Sequence, residues 1–466
     1  MYHNKYHIHF VGVGGIGMSG IAELLLNLGY KVSGSDLSES EITKRLERLG
    51  GEIYIGHAAS QISGADVIVT SSAIPYDNPE IQAARNNRNR AVPIIPRAEM
   101  LAELMRLKYS IAIAGAHGKT STTSIIASIL EKGQLDPTVV IGGNLKSIGS
   151  NALFGQGAFF VAEADESDGS FLKMSPTIAV VTNIDREHLD YYKDLDQIKQ
   201  TFLSFIDRIP FYGIAVLCLD NEAVQDIIPD VKKRFTTYGM NPQADFIVRN
   251  IVFDGLTSQF SVDYQSPQGD HKTLGDIRLN LPGVHNVSNA MAGIVVGIEL
   301  GIPFEIIKEA LETHSGVRRR IEIKGDWHGV TVVDDYGHHP AEIKVTLATA
   351  KNSWPDKRLV VVFQPHRYSR TQALFDDFAR AFYQSDLLVV LPIYAASEKK
   401  IPGVDAEQLF HGIKQHGHKN VVYQEDFQST LAFLKQTLRK GDILLTLGAG
   451  DVLKIGELLL GMGNDE

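Results

Sequence analysis

Short runs of consecutive apolar residues alternate along this chain with segments whose apolar positions recur every three or four residues. That alternation predicts parallel α/β layers. The first unit reads as a strand around His7–Val11, a glycine-rich turn, and a helix from about Met18 to Leu28 ended by Gly29. A strand near Lys31–Gly34, a helix near Glu41–Leu49 and a strand at Val67–Thr70 follow. The loop Ser71–Asn78 then leads to a helix opening on Pro79, a favoured first helical residue. A second series starts with a strand at Ser110–Ala114 and a helix at Ser121–Glu131, with buried strands expected at Ala158–Glu163, Ile178–Asn183 and Ile214–Cys218. Between Asp245 and Asp276, short alternating runs broken by Gly, Pro and Asp predict a small antiparallel excursion. Helices are expected next near Asn286–Leu300 and Pro303–Glu312. A third series has strands at Val330–Asp334, Leu359–Phe363, Leu387–Leu391 and Ile443–Leu447. The expected organisation is three α/β domains, 1–107, 108–316 and 317–466.

Composition narrows the class. Of 466 residues, 44% are apolar and 21% charged, which excludes wholesale disorder. Forty-five Lys and Arg against 55 Asp and Glu leave a net charge of −10, so a nucleic-acid or anionic-membrane partner is not expected and any anion must be held locally. The basic run Arg85–Arg90 reads as a solvated helix end. The single Cys218 cannot form an internal disulfide, no apolar run approaches the ~18–20 residues that span a bilayer, and Met1–Phe10 lacks a signal-peptide core. A cytoplasmic protein is expected.

Two glycine loops carry the first chemistry. Gly12-Val13-Gly14-Gly15-Ile16-Gly17 fits G-x-G-x-x-G between a strand and a helix, with Asp36 ending the next strand. Such a turn lets a pyrophosphate approach backbone N–H groups, and the acid can accept from a ribose hydroxyl. The second loop, Gly115-Ala116-His117-Gly118-Lys119-Thr120, is more specific: exposed amides, a lysine for β/γ-phosphates and a hydroxyl for a divalent metal follow a buried strand directly. It is tighter than the common G-x-x-x-x-G-K-[ST], because position 113 is Ile. Two acidic motifs end later strands, Glu163-Ala164-Asp165-Glu166-Ser167-Asp168 and Thr182-Asn183-Ile184-Asp185-Arg186-Glu187-His188-Leu189-Asp190, and such a cluster repels itself unless a cation or an Arg compensates. In the third series, Arg318-Arg319-Arg320, Asp334-Asp335-Tyr336-Gly337-His338-His339-Pro340 and Gln364-Pro365-His366-Arg367-Tyr368-Ser369-Arg370 cluster at carboxyl ends of strands, where open α/β sheets bind ligands. Arg367 and Arg370 suit a carboxylate or phosphate.

Taken in order over essentially the whole chain, these motifs resemble those of the Mur ligase family, ATP-dependent amide-forming enzymes of peptidoglycan precursor synthesis. The Leu281-Pro282-Gly283-Val284-His285-Asn286 segment adds to the likeness. Three features are most similar to the branch that joins L-alanine to UDP-N-acetylmuramate: the G-V-G-G-I-G-M-S-G turn, E-A-D-E-S-D, and F-Q-P-H-R-Y-S-R-T at Phe363–Thr371. The alternative is the branch that reattaches a recycled tripeptide to the same acceptor. A nicotinamide-dependent oxidoreductase would leave the second loop, the acids and Arg320 without work. A non-catalytic nucleotide-binding regulator would leave His338 and Arg367 without work.

The resemblance implies Rossmann-like first and third domains around a P-loop-type ATPase domain with a mainly parallel sheet. It implies that Gly115, Ala116, His117, Gly118, Lys119, Thr120 and Ser121 hold the ATP phosphates. Thr120 and Glu163 would ligate one Mg²⁺ and His188 a second, with Mn²⁺ as the substitute. His285, Asn286 and Asn289 would lie near the adenine, Asp335 at the ribose and Arg320 at the γ-phosphate. Lys119, His188 and Arg320 are the catalytic residues it implies. Tyr336, His338, His366, Arg367 and Arg370 would surround the amino acid, and Gly14, Gly15, Ile16, Gly17, Asp36, Ser71 and Ser72 would hold UDP. The third domain is expected to close over the nucleotide in a monomer or weak homodimer. Two positions depart from the family loop, Ala116 and Ser121, where Thr is usual. Lys199 does not fall clearly on the position of a lysine that is carbamylated in some relatives.

Overall fold

The computed structural model describes residues 6–71, 73–86, 91–142, 151–188, 191–265, 269, 271–396 and 398–461. Ser72, residues 87–90 of the basic run and residues 189–190 of the second acidic motif lie outside the described residues, as does the side chain of Ile16. Two compact units form: one of Met1–Val252, Gln259–Asn280 and Asn286–Gly316, the other of Phe253–Ser258, Leu281–His285 and Val317–Glu466.

In the first unit a five-stranded parallel sheet runs in the order Glu52–Ile55, Lys31–Asp36, His7–Val11, Val67–Thr70, Ile94–Pro96. The strand His7–Val11 is buried on both faces, yet it carries two histidines. Strand alternation puts His7 and His9 on one face, where the Ser33 hydroxyl bonds both rings at 2.8 and 2.7 Å. Helix Pro79–Asn86 brings in Glu80, which bonds His9 (2.9 Å), the Ser35 hydroxyl (2.8 Å) and His57 (3.1 Å). A buried carboxylate is tolerated there because hydrogen-bonding groups surround it.

The second sheet has ten strands. Its centre is Phe235–Gly239, Ile214–Cys218, Ile178–Val181, Tyr109–Ala114, Phe159–Glu163 and Thr138–Val140, each parallel to the next, and Ala152–Leu153 pairs antiparallel with the last. At one edge the expected excursion becomes three nine-residue strands, Phe246–Asp254, Thr257–Gln265 and His271–Leu279, added to the same sheet. The two sheets share one apolar core, in which Phe10, Ile21, Leu25, Phe160, Phe171, Phe202 and Phe205 are buried. Each such side chain contributes about 1.5–3 kcal/mol by leaving water.

The other unit has a six-stranded sheet in the order Glu322–Trp327, Val330–Asp335, Ile443–Leu447, Leu359–Phe363, Leu387–Val390, Val421–Tyr423. Its first pair is antiparallel and the rest are parallel. Strands such as Glu52–Ile55 and Val421–Tyr423 escape the hydrophobic pattern because they are short and partly exposed. The helix expected from Ser121 begins at Lys119, since Gly118 (φ +81°) ends the loop in one residue.

Candidate active site

The strand Tyr109–Ala114 delivers the loop 115–118 to the carboxyl edge of the ten-stranded sheet. Two of its glycines are obligatory. Gly115 has φ +143°, and a Cβ there would lie 2.1 Å from Thr182 Oγ1. Gly118 has φ +81°, and a Cβ would lie 2.5 Å from Asn289 Oδ1. Asn183 fastens the loop: its Oδ1 accepts from the His117 N–H (2.8 Å) and its Nδ2 donates to the His117 carbonyl (2.9 Å). The Thr182 hydroxyl donates to that carbonyl as well (2.7 Å), and the His117 ring bonds Asp185 at 3.2 Å. Thr120 and Ser121 occupy the first turn of the helix Lys119–Lys132, half-buried.

Lys119 folds back over this loop. Its ammonium donates to the carbonyls of Gly115 and Ala116 and to Glu166 Oε1 at 2.8 Å. Burial disfavours the charge, but the Glu166 carboxylate outweighs it and holds the lysine above its usual pKa. Burial would likewise raise Glu166, yet Lys119 and His188 hold it below the usual carboxylate range. His188 Nε2 lies 3.6 Å from Glu166 and 3.7 Å from Glu187, and after the opposing effect of burial these acids raise its pKa. One ligand atom each from Glu166, Glu187 and His188 lies within 4.8 Å of the others. His188 has φ +55°, an uncommon conformation for a residue other than glycine. Glu163 ends its strand and accepts from the Gly142 N–H (2.7 Å), apart from this group's bonds.

Asn286 and Asn289 sit in the first turns of helix Val284–Glu299. Asn289 Nδ2 donates to Asn286 (3.3 Å), and the Thr122 hydroxyl donates to Asn289 Oδ1 (3.2 Å), so this pair supports the loop from beneath. In the other unit, burial and the Arg320 charge push the neighbouring His285 down to about 4.

The first glycine turn is held closed by the chain's own acid. The Gly14 N–H donates to Asp36 Oδ2 at 2.8 Å, and the N–H groups of Gly12 and Val13 donate to the Ser35 carbonyl. Gly15 precedes helix Ile16–Asn27, and Gly17 lies in its first turn. A Cβ on Gly17 would stand 1.9 Å from Arg97 Nη1, so the third glycine of the motif makes room for a guanidinium. Arg97 Nη2 donates to Asp165 Oδ2 at 2.7 Å and thereby connects this turn to the first acidic motif. Ser71 is half-buried at the end of strand Val67–Thr70.

The last constellation lies within the other unit. Tyr336, His338, His366 and Tyr394 form a series of ring contacts with centroids 5.3, 5.6 and 5.7 Å apart. Arg370 Nη1 lies 3.3 Å from His366 Nδ1. Burial, then His338, Arg370 and Arg367, push His366 down to about 3, so this ring is neutral at pH 7 beside two arginines. Arg367 precedes the helix Tyr368–Ala373 with φ +71°, ψ 139°, pinned by its N–H to the Tyr394 carbonyl (2.8 Å). Gly450 packs here, where a Cβ would meet Gln364 Oε1 at 2.3 Å and the Tyr394 ring at 2.8 Å. Arg320 lies 4.0 Å from Glu342 and 5.7 Å from the Tyr336 ring. The carboxylate of Asp335 is already engaged: it accepts from the N–H groups of Ile321 (2.9 Å) and Gly337 (2.8 Å) and from the Thr346 hydroxyl (3.2 Å).

Three family models match in sequence order: "Mur ligase family, catalytic domain" over residues 7–109, "Mur ligase middle domain" over 113–297, and "Mur ligase, glutamate ligase domain" over 319–450. This chain belongs to the Mur ligase family. Among its relatives, the UDP-N-acetylmuramate–L-alanine ligases of Desulfatibacillum aliphaticivorans and Desulfosudis oleivorans are 63% and 64% identical to this Mur ligase over 460 residues, covering 99% of each chain. The crystal structure of the UDP-N-acetylmuramate-alanine ligase of Thermotoga maritima superposes with a TM-score of 0.82 at 29% identity, over 98% of this chain and 99% of that one.

Four residues of this Mur ligase escape a motif reading. Glu166 and Glu187 were visible only as members of acidic runs, with no signal that they and His188 converge. Arg97 opens a helix about 80 residues after the turn it packs on, and Tyr394 lies outside every motif. Lys199 pairs with Asp226 (2.7 Å) and Asp196 (3.6 Å), apart from Lys119 and Glu166.

Proposed function

We propose that this protein joins L-alanine to the lactyl carboxylate of UDP-N-acetylmuramate, with ATP converted to ADP and phosphate. The observation that carries the reading is the 63% identity, end to end, with a relative named for that reaction. A carboxylate is a poor electrophile, so its conversion to an acyl phosphate by the γ-phosphoryl of ATP precedes attack by the amine of L-alanine. The amine then displaces phosphate.

The loop suits this task. Its glycines let the loop turn tightly against Thr182, Asn183 and Asn289 ahead of the start of helix Lys119–Lys132, where N–H groups suit phosphate oxygens, and Lys119 supplies a cation beside them. Arg320 is assigned the same neutralising role. The donor set also fits a hard divalent cation, because Glu166 Oε2 is buried and has no hydrogen-bond partner among the described residues, beside Glu187 and His188. Thr120 with Glu163 would hold one Mg²⁺ and His188 with these acids a second. When bound, Mg²⁺ neutralises phosphate oxygens. Arg367 and Arg370 suit the carboxylate of L-alanine, with Tyr336, His338 and His366 walling the pocket. The Gly14–Gly17 turn and Arg97 suit the diphosphate of the UDP-linked acceptor. No helix among the described residues is long and apolar enough to cross a membrane.

The test is phosphate release from ATP and Mg²⁺ with UDP-N-acetylmuramate and L-alanine, glycine, the tripeptide or no amine, together with the mass of the nucleotide product. Release that requires L-alanine and yields the alanyl adduct is expected. Release with the tripeptide alone would move the protein to the recycling branch, and none with any amine would refute ligation.

A further inference from the structure

Lys119 has three N–H bonds to give, and the protein takes all of them: two by the loop's own carbonyls and one by Glu166. In this arrangement the loop lysine is turned inward, and it reaches a phosphate only by releasing one of these partners. Glu166 is 3% exposed, and its two oxygens are unequal. Oε1 carries Lys119 and faces His188, whereas Oε2 has no hydrogen-bond partner among the described residues. Buried carboxylate oxygens are seldom left so unless something else fills the place. Glu187 and His188 each bring one ligand atom within 4.8 Å of a Glu166 carboxylate oxygen, and two oxygens with one nitrogen make a donor set for a hard divalent cation.

A divalent cation there would draw on the carboxylate charge that now holds the ammonium, and would repel the ammonium directly. We infer that Glu166 is a latch shared between Lys119 and a divalent cation, so that cation binding releases Lys119 toward the phosphates of an incoming nucleotide. Metal and nucleotide then favour each other beyond simple chelation, and the protein without metal holds its phosphate-binding lysine back. By reciprocity, nucleotide phosphates that draw Lys119 away free Glu166 for the cation. Glu166 is on this account a positioning residue, distinct from the groups that touch the reacting atoms. The inference rests on the ATP-dependent reading above.

Binding, not turnover, tests it. ADP is titrated calorimetrically in the presence of a chelator, and Mn²⁺ is titrated by electron paramagnetic resonance without nucleotide. Glu166→Gln is expected to bind metal-free ADP on the order of tenfold more tightly than wild type, and Mn²⁺ at least about tenfold more weakly. Glu187→Gln removes the same charge without touching the lysine's hydrogen bonds; an equal gain in metal-free ADP affinity there would mean charge alone and overturn the latch. Lys119→Gln provides the reciprocal arm and does not depend on Glu166→Gln folding. Freed of its competitor, the cluster is expected to bind Mn²⁺ several-fold more tightly, and unchanged Mn²⁺ affinity would overturn the proposal. A wild-type protein that binds Mn²⁺ but no ADP under any condition would refute the ATP-dependent reading and the latch with it. ADP binding that metal leaves unaltered would refute the latch alone.

Discussion

Arg97 packs against Gly17 and holds Asp165 at 2.7 Å, so one guanidinium joins the amino-terminal glycine turn to the acidic segment after strand Phe159–Glu163. The glycine is spent on making space for the arginine, a different use from admitting a ligand. Gly17→Ala therefore displaces the end of a flexible side chain. Because both partners are partly exposed, losing the ion pair is expected to destabilise by less than about 1 kcal/mol. The larger effect is expected in the KM for UDP-N-acetylmuramate, raised by Gly17→Ala and by Arg97→Ala alike. Steady-state kinetics beside urea unfolding separates the two, and a KM unchanged in both variants would remove Arg97 from the acceptor site.

Gly115→Ala presents the opposite case. Its Cβ would meet Thr182 Oγ1 at 2.1 Å and the backbone of Asn183 at 3.1 Å, with φ at +143°. Backbone cannot yield as a side-chain tip does, and overpacking costs about 1–3 kcal/mol before the unfavourable φ is added. Loss of ADP binding together with a lowered unfolding midpoint is the expected result, read by calorimetry and urea titration.

Acid should weaken the first unit in two stages. Burial lowers the His7 pKa below 6.5, so the folded state resists a proton that the unfolded chain accepts, and stability falls as pH drops below that value. Burial alone would raise Glu80, but its bonds to His9, Ser35 and His57 hold it below 4.5. Its contribution is present above 4.5 and disappears as pH falls through its lower folded value. Glu80→Gln keeps the side chain's shape but removes the charge that its bonds to His9, Ser35 and His57 share, and a compromised buried hydrogen-bonding group costs about 1–3 kcal/mol. Urea unfolding from pH 8 to 3 is expected to give the variant lower stability at pH 7 and a smaller loss below pH 4.5.

At Arg367 the backbone itself offers a test. Its φ +71°, ψ 139° lies near a region that only glycine visits freely, where other residues pay about 1–3 kcal/mol. Arg367→Gly should raise stability toward that range while raising the KM for L-alanine. Arg367→Ala should raise the KM without the stabilisation. An unaltered alanine dependence in both would displace the amino-acid pocket from this loop.

Local chemistry was legible in the linear chain. A buried strand followed by closely spaced glycines, a lysine and a hydroxyl predicts a strand–loop–helix turn, which the structure has at Tyr109–Ala114 and Lys119–Lys132, because these signals lie within a few residues of one another. Pro79 as the first helical residue is a signal of the same range. The boundaries that slipped did so by a residue or two, as at Lys119, where Gly118 alone decides the helix start.

Convergence between distant segments was decided only by the tertiary structure. Four acids crowd Glu163–Asp168, and nothing in their spacing says that Glu166 meets Lys119 while Glu163 turns to the Gly142 amide. That outcome depends on how the strand end bends and on Tyr192, whose hydroxyl donates to the Glu166 carbonyl at 2.5 Å. Arg97 beneath Gly17, and Gly450 beside Gln364 and Tyr394, are equally silent in sequence. A hydrophobic pattern encodes which face of an element is buried, whereas the partner of a polar side chain follows from packing elements far apart in the chain.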